Sequence, residues 1–436
     1  FCITLPRDPS LTGRGFHGYF PGGFATYQKY IGVSTGARHL LLDVEGAYHE
    51  CTVSLNGDVL TEHHHGYTPF LVPLDSSLRR GEQNLLKLEV LSSHLSTRWY
   101  AGGGLYRDVY LWEGGEVRVE PWDLFVTTKE ASEASATLDV SVGITADVDA
   151  ETTVRLTIRD AAGNAVASRE EPLSLRGGEK STHTLPLTVP HPALWSDETP
   201  VLYTLEVALL ARDGSLFDTA ATDFGIRTIT FDAEHGLRVN GRSVKLRGGC
   251  MHHTHGALGA ADFVTAVERQ LRGLKAAGFN AIRSSHNPPS ETLLSLCDKL
   301  GFYLMDEAFD MWHRAKTPAD YHLFFDAFWR EDIAAMVLSA RNHPSVISYS
   351  VGNEIRECDG VSDGYALSRR LSDEIRKYDP TRAVTSAVCG VYESPRADAP
   401  ADYAASFMRG YEDIGRGEIP GVPREDSWLA RTEQFM

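Results

Sequence analysis

The hydrophobic pattern of the chain changes near residue 244, and this change constrains the fold more than any other feature. Up to about residue 228, apolar and polar residues alternate in short runs separated by Gly, Asn and Pro, as they do in antiparallel strands. From Val244 onward, short apolar runs alternate with segments in which Phe263, Val267 and Leu271 recur at helical spacing. Strands that alternate with helices are typical of a parallel sheet. The sequence therefore predicts β-sandwiches followed by an α/β domain.

The first 228 residues divide into two β-rich segments. Residues 1–115 contain the pair Asn56-Gly57 between two strand-like runs, and this pair tolerates the positive φ of a hairpin turn. Residues 116–228 contain a second set of alternating runs, spaced roughly as in an immunoglobulin domain. We therefore predict a jelly-roll-like β-sandwich over 1–115 and an immunoglobulin-like β-sandwich over 116–228.

The remaining segment, residues 229–436, contains repeated strand and helix signals. Pro289 and Ser290 predict the start of a helix, because proline suits the first helical turn and serine caps it. The strand-like runs are residues 244–250, 279–283, 302–305, 346–351 and 383–388. Five such repeats predict a parallel barrel or a doubly wound sheet.

Charge and cysteine usage exclude several classes of ligand. The formal charge of -17 disfavours nucleic acid and anionic lipid, since it would repel both. No apolar run reaches the roughly 20 residues that cross a bilayer. The six cysteines form no CxxC pair, so neither a zinc site nor a disulfide framework is predicted. We expect a cytoplasmic protein that binds a neutral molecule or glycan and needs no cofactor or metal, and that could form a homo-oligomer.

Polar residues follow four successive predicted strands of the α/β segment. In a (β/α)₈ barrel the carboxyl ends of the strands build the active site, so these residues are the candidates for chemistry. The candidate side chains at these ends are His253, Arg283, His286, Asp306, Trp312, His313, Asn353 and Glu354. Four polar strand ends together predict a site, although Asp306 and Glu307 could instead cap the barrel rim or pair with Arg283.

Glu354 stands out among these residues because it follows an apolar strand and an asparagine. A buried carboxylate beside an amide is expected to have a raised pKa, because desolvation penalises its charged form. Cleavage of a glycoside needs such a proton donor, and a second carboxylate about 5 to 5.5 Å away when the configuration is retained. Glu354 is thus predicted to be a general acid/base.

Three stretches at these strand ends resemble signatures of glycoside hydrolase family 2. They are residues 280–288 (NAIRSSHNP), 306–312 (DEAFDMW) and 341–355 (RNHPSVISYSVGNEI). Residues 98–109 (RWYAGGGLYRDV) are similar to the motif that closes the sugar-binding sandwich of this family. The resemblance covers nearly the whole chain and implies a (β/α)₈ catalytic barrel behind two sandwiches.

The resemblance also implies roles for the candidate residues. Glu354 matches the acid/base, Asn353 the amide that holds the sugar 2-hydroxyl, and Arg283 the arginine that orients the nucleophile. The remaining substrate contacts that it implies are His286, His253, His313, Asp306, Trp312 and Arg98. The family's nucleophile follows a seventh barrel strand, whereas Glu433 has no strand before it. We therefore expect that the barrel is incomplete in this sequence and that the nucleophile is missing from it.

The function predicted from this resemblance is that of a retaining exo-β-glycosidase. The run DEAFDMW favours a β-galactosidase over a β-glucuronidase or a β-mannosidase. One alternative is a metal-dependent amidohydrolase, because His253 and His255 follow the first strand and imidazoles can share a metal. A second alternative is a carbohydrate-binding protein without catalysis, which the two sandwiches and the missing nucleophile favour.

Overall fold

The computed structural model describes residues 23–33, 38–92, 98, 101–232, 234–255, 258–359 and 362–387. The first part of the chain forms an antiparallel β-sandwich. Its strands are β1 (Gly23–Ile31), β2 (His39–Val44), β3 (Ala47–Tyr48), β4 (Glu50–Leu55), β5 (Asp58–His63), β6 (Phe70–Pro73), β7 (Asn84–Ser92), β8 (Gly104–Leu105) and β9 (Val109–Gly114). The sheet β1-β7-β4-β5 and the sheet β6-β2-β9 contribute to one core, which includes Leu42 and Val90. Asn56 and Gly57 both have positive φ and join β4 to β5, which confirms the predicted hairpin.

The second part is another antiparallel sandwich. Its strands are β10 (Val117–Ala131), β11 (Ser135–Ala146), β12 (Ala150–Arg159), β13 (Ala165–Leu175), β14 (Glu179–Pro190), β15 (Tyr203–Ala211) and β16 (Leu216–Phe224). The sheets β10-β11-β14 and β13-β12-β15-β16 share one apolar core. The predicted boundary at residue 115/116 lies between β9 and β10, and the boundary at 228/229 lies just after β16. The jelly-roll topology of the first sandwich stays a prediction.

A small antiparallel ribbon leads into the α/β domain. It consists of β17 (Ile229–Asp232), β18 (Gly236–Val239) and β19 (Arg242–Ser243). Its Val239 packs with Trp195 of the second sandwich and with Ile347 of the parallel sheet. Val244 was predicted to start the first parallel strand, but its N–H donates to Leu237 O (3.0 Å) and the residue continues the ribbon.

The α/β domain alternates parallel strands with helices. Its elements are β20 (Gly248–His252), α1 (Val264–Ala276), β21 (Ala281–Ser285), α2 (Glu291–Leu300), β22 (Tyr303–Glu307), α3 (Phe325–Ala340), β23 (Val346–Asn353), α4 (Gly364–Tyr378) and β24 (Ala383–Ala387). All five strands pair in parallel and in sequence order. In a doubly wound sheet the order of the strands reverses at a switch point, whereas here each strand pairs with the next one in the sequence. This strand order indicates a barrel arrangement. Ser290 caps α2 by accepting a hydrogen bond from the N–H of Leu293, as predicted.

The first sandwich contacts the carboxyl end of the parallel sheet. Arg107 Nη2 donates to Pro288 O (3.0 Å), and Thr68 Oγ1 donates to Asp332 Oδ1 (2.6 Å). The His64 ring stacks on Phe324 with the ring centroids 4.3 Å apart. These contacts place loops of the sandwich beside the strand ends where the candidate residues lie. Within the described residues, no helix is long and apolar enough to cross a membrane.

Candidate active site

Glu307 is the centre of one group of polar side chains at the strand ends. It is fully buried, and Arg283 Nη2 donates to both of its carboxylate oxygens at 2.8 Å. Ser350 Oγ donates to Glu307 Oε2 (2.7 Å), and His286 Nδ1 lies 3.0 Å from Oε1. The structure thus brings the predicted residues Arg283 and His286 together, around the Glu307 carboxylate that the sequence analysis had considered as a partner of Arg283.

Asp306, which was predicted to contact the substrate, does not belong to this group. Successive side chains of a strand point to opposite faces, and Asp306 therefore faces away from Glu307. Asp306 is 0% exposed, and neither carboxylate oxygen has a hydrogen-bond partner. Burial raises the pKa of Asp306 to about 8. The predicted alternative, a pair of Asp306 or Glu307 with Arg283, is found for Glu307 and not for Asp306.

Asp310 is the centre of a second polar group, which connects the first sandwich to the α/β domain. Arg98 of the first sandwich donates to it twice, from Nε to Oδ2 (2.7 Å) and from Nη2 to Oδ1 (2.8 Å). Lys316 Nζ and Asn353 Nδ2 also donate to Asp310 Oδ1, at 2.8 and 2.7 Å. Burial alone would raise the pKa of Asp310, but the charges of Arg98 and Lys316 outweigh it and lower the pKa to about 2. Asp310 is therefore ionised at neutral pH.

Asn353 joins the two groups. Its Oδ1 accepts a hydrogen bond from Arg283 Nη2 (2.7 Å), while its Nδ2 donates to Asp310. Because the amide is held at both ends, its orientation is fixed before any ligand binds. This arrangement leaves one hydrogen of Nδ2 for a ligand hydroxyl, since an amide nitrogen has two.

Glu354 follows Asn353 directly, at the end of β23. Its backbone has φ 46°, in the left-handed region, and its N–H donates to Ala387 O (2.7 Å). This turn takes the side chain out of the sheet, and the carboxylate is exposed in the described structure. The expectation that Glu354 is buried is therefore wrong here, although its position beside the fixed amide of Asn353 agrees with the predicted pair.

The histidine that faces the candidate site from β20 is His252, which the sequence analysis missed. The His252 ring meets the His286 ring edge to face, with the centroids 5.0 Å apart. Burial, with the nearby charges of His286 and Arg98, lowers the pKa of His252 to about 4, so the ring is neutral at pH 7. Alternate side chains of a strand point to the same face, so His252 shares a face with Cys250. Cys250 Sγ lies 3.5 Å from Arg283 Nη1, and Arg283 belongs to the group around Glu307. The period of two along the strand could therefore have identified His252.

Three other predicted contacts lie outside this group. His253 points away from His252, toward Tyr67 (ring centroids 4.7 Å apart) and Asn287 O (3.3 Å from Nε2). Trp312 is 1% exposed and donates from Nε1 to Val351 O (2.9 Å), which makes it a core residue. His313 pairs with Asp326, with Nδ1 and Oδ1 2.8 Å apart. The structure does not support direct substrate contacts by these residues.

Exchange of the two neighbouring histidines tests this assignment. We expect His252→Ala to raise KM about fivefold, since one hydrogen bond to the substrate contributes about 1 kcal/mol. We expect His253→Ala to leave KM unchanged and to lower the melting temperature, because its ring packs on Tyr67. Steady-state kinetics and thermal unfolding of both variants measure this. A larger KM increase in the His253 variant would contradict the assignment.

The geometry offers little to the alternative of a metal-dependent amidohydrolase. His255 Nε2 lies 3.6 Å from Asp262 Oδ1, whereas His253 contacts Asn287. The two imidazoles thus have different partners. In the part of the chain that the structure describes, no group of three or more His, Cys, Asp or Glu side chains could hold a metal ion.

The chain thus combines two β-sandwiches with a parallel β/α domain that carries a polar cluster at its strand ends. Residues 233–418 match the TIM barrel domain of the glycosyl hydrolases family 2, and residues 117–227 match a second domain of the same family. The chain belongs to glycoside hydrolase family 2.

Individual relatives agree with this assignment. The chain is 39% identical over 368 residues to a beta-galactosidase of Bacteroides ovatus, and this match covers 83% of this chain and 43% of that protein. It is 31% identical over 397 residues to a putative beta-glucuronidase of Formosa agariphila, which covers 88% of this chain and 37% of that protein. A crystal structure of a family 2 member from Bacteroides cellulosilyticus superposes with a TM-score of 0.85 at 34% identity and covers 95% of this chain and 54% of that one. The chain thus spans less than half the length of these curated relatives.

Proposed function

We propose that this chain is part of a retaining exo-β-glycosidase in which Glu354 is the general acid/base. The observation that carries the proposal is the amide of Asn353, which Arg283 and Asp310 fix directly beside Glu354. A fixed amide can hold the sugar 2-hydroxyl through a hydrogen bond that strengthens in the transition state. The adjoining carboxylate can then reach the glycosidic oxygen. Binding alone would not require a proton donor at this position.

We further propose that the five parallel strands are the first five of an eight-stranded barrel. The sequence order of the strands and the match to the family's barrel domain support this reading. The nucleophile would then follow a later strand, as the family resemblance implies. Glu307 is a poor candidate for that role, because Arg283, Ser350 and His286 already occupy its carboxylate oxygens.

A neutral sugar suits the candidate site better than an anionic one. Among the described residues at these strand ends, Arg283 is paired with Glu307, and both Arg98 and Lys316 are paired with Asp310. The carboxylate of a glucuronide would need an uncommitted cation as partner, and Arg283, Arg98 and Lys316 are already engaged. We therefore propose a β-galactoside as the preferred substrate, which agrees with the name of the Bacteroides ovatus relative.

Two measurements on the enzyme test this proposal. Following the first-formed sugar anomer by NMR should show the β-anomer from a β-galactoside, since a double displacement retains configuration. Matched aryl β-galactoside and β-glucuronide substrates should give a higher kcat/KM for the galactoside. The α-anomer as first product would rule out retention, and a preference for the glucuronide would refute the charge argument.

A further inference from the structure

Lys316 has a position that its sequence context does not suggest. It lies in the loop between β22 and α3, and its side chain is 16% exposed. The ammonium donates to Asp310 Oδ1 (2.8 Å) and to the main-chain oxygen of Asn353 (2.7 Å). Both acceptors belong to the polar group around Asp310, and Asn353 directly precedes Glu354.

The second of these bonds acts on the peptide unit that carries Glu354. The carbonyl of Asn353 and the N–H of Glu354 belong to one planar peptide group. Lys316 holds its oxygen, and Ala387 O accepts from its N–H at 2.7 Å. The plane is therefore fixed on both sides, from the loop after β22 and from the end of β24.

The conformation of Glu354 makes such support necessary. Its φ of 46° lies in the left-handed region, which is unfavourable for a residue with a side chain. Residues in this region keep their conformation when surrounding contacts impose it. Rotation of the peptide plane would move the Glu354 carboxylate away from the direction that the turn gives it.

Lys316 also couples this backbone support to the side chain of Asn353. Asp310 Oδ1 accepts from both Lys316 Nζ and Asn353 Nδ2. One ammonium group thus fixes the carbonyl of Asn353 directly and its amide through Asp310. Lys316 thus contributes to the orientation of both residues of the Asn353–Glu354 pair.

We propose that Lys316 is a positioning residue for the acid/base Glu354. It acts on the Asn353–Glu354 peptide and on Asp310 and does not touch the substrate. The inference rests on the proposed function, because it takes Glu354 as the proton donor. The loss of kcat/KM on replacement of Lys316 should therefore be larger for a substrate whose leaving group needs a proton.

The test compares kcat/KM for an alkyl β-galactoside with that for an activated aryl β-galactoside. We expect Lys316→Met to lower kcat/KM for the alkyl substrate about 10- to 100-fold, since a displacement of about 1 Å can cost that much. The aryl leaving group departs without protonation, so its kcat/KM should fall less than about threefold. Lys316→Arg should restore part of the loss, because it keeps a charged donor. Lys129→Met is the control, since Lys129 is 61% exposed on the second sandwich.

The outcomes separate this inference from the proposed function. Equal losses on both substrates, or no loss on either, would overturn the role of Lys316 while Glu354→Gln still discriminates between the substrates. If Glu354→Gln also fails to discriminate, the acid/base assignment itself is wrong. Thermal unfolding of Lys316→Met and Lys316→Arg shows whether a loss comes from misfolding, which would lower both rates in parallel and so would contradict the inference.

Discussion

In the complete enzyme, Glu354→Gln is expected to lower kcat/KM for alkyl β-galactosides by about 10² to 10⁴, the usual contribution of general acid catalysis. Without the proton, the glycosidic oxygen must leave as an alkoxide. An activated aryl glycoside has a leaving group that is stable as an anion, so its first step should survive much better. Initial rates on a series of leaving groups with different pKa values measure the effect as a steeper dependence in the variant.

A matched control is Glu234→Gln, because Glu234 lies in the ribbon with 85% of its side chain exposed. It should leave all rates unchanged. Equal losses by Glu354→Gln on every leaving group would mean that Glu354 is not the proton donor. If the wild-type protein binds sugars but turns over none of these glycosides, the carbohydrate-binding protein without catalysis is favoured.

Asp306→Asn is expected to stabilise the protein strongly at pH 7 to 8. Asp306 is fully buried, its carboxylate has no hydrogen-bond partner, and burial raises its pKa from 3.8 to about 8. A carboxyl whose folded pKa is raised contributes fully to stability below pH 3.8 and loses that contribution as the pH rises toward 8. At pH 7 the loss is on the order of 4 kcal/mol, at about 1.4 kcal/mol per pH unit. Asparagine has a similar shape and removes this loss.

Thermal unfolding of the variant at two pH values measures this effect. We expect Asp306→Asn to raise the melting temperature of the α/β domain by several degrees at pH 7.5 and by little at pH 4.5. Asp332→Asn is the matched control, because Asp332 is also buried but accepts from Thr68 and Tyr321 and should lose stability. KM should not change in Asp306→Asn. An equal shift at both pH values, or a higher KM, would show that Asp306 has a different environment.

The fold was largely predictable because its signals are local. The Asn56-Gly57 turn, the Ser290 cap and the alternation of strands and helices each depend on a few neighbouring residues, and all are found in the structure. The polar strand ends were predictable for the same reason, since the carboxyl ends of parallel strands meet at one edge. The family matches confirm the barrel domain behind a sandwich.

The errors in the predicted site concern two features: the face of a strand on which a side chain lies, and contacts between residues far apart in the sequence. A shift of one residue turns a strand side chain to the other face, which is why His252 and Glu307, and not His253 and Asp306, line the site. Arg98 and Asp310 lie 212 residues apart in the sequence, so their pairing depends on how the first sandwich docks. Lys316 lies in a loop and belongs to no motif or periodic pattern that the sequence analysis used. Its role follows only from the position of the Asn353 carbonyl.

The most direct test of the central claim is the product that Glu354→Gln forms in the presence of azide. In a retaining enzyme the aryl galactoside forms a glycosyl-enzyme intermediate, which accumulates when no general base activates water. Azide needs no general base to attack the intermediate. Because the variant lacks the negative charge of the Glu354 carboxylate, azide can attack the anomeric carbon from the face that water would otherwise attack. We predict that azide restores turnover of the variant and that NMR shows a β-galactosyl azide. An α-galactosyl azide, or no rescue and no azide product, would contradict the assignment of Glu354 as the acid/base of a retaining β-glycosidase.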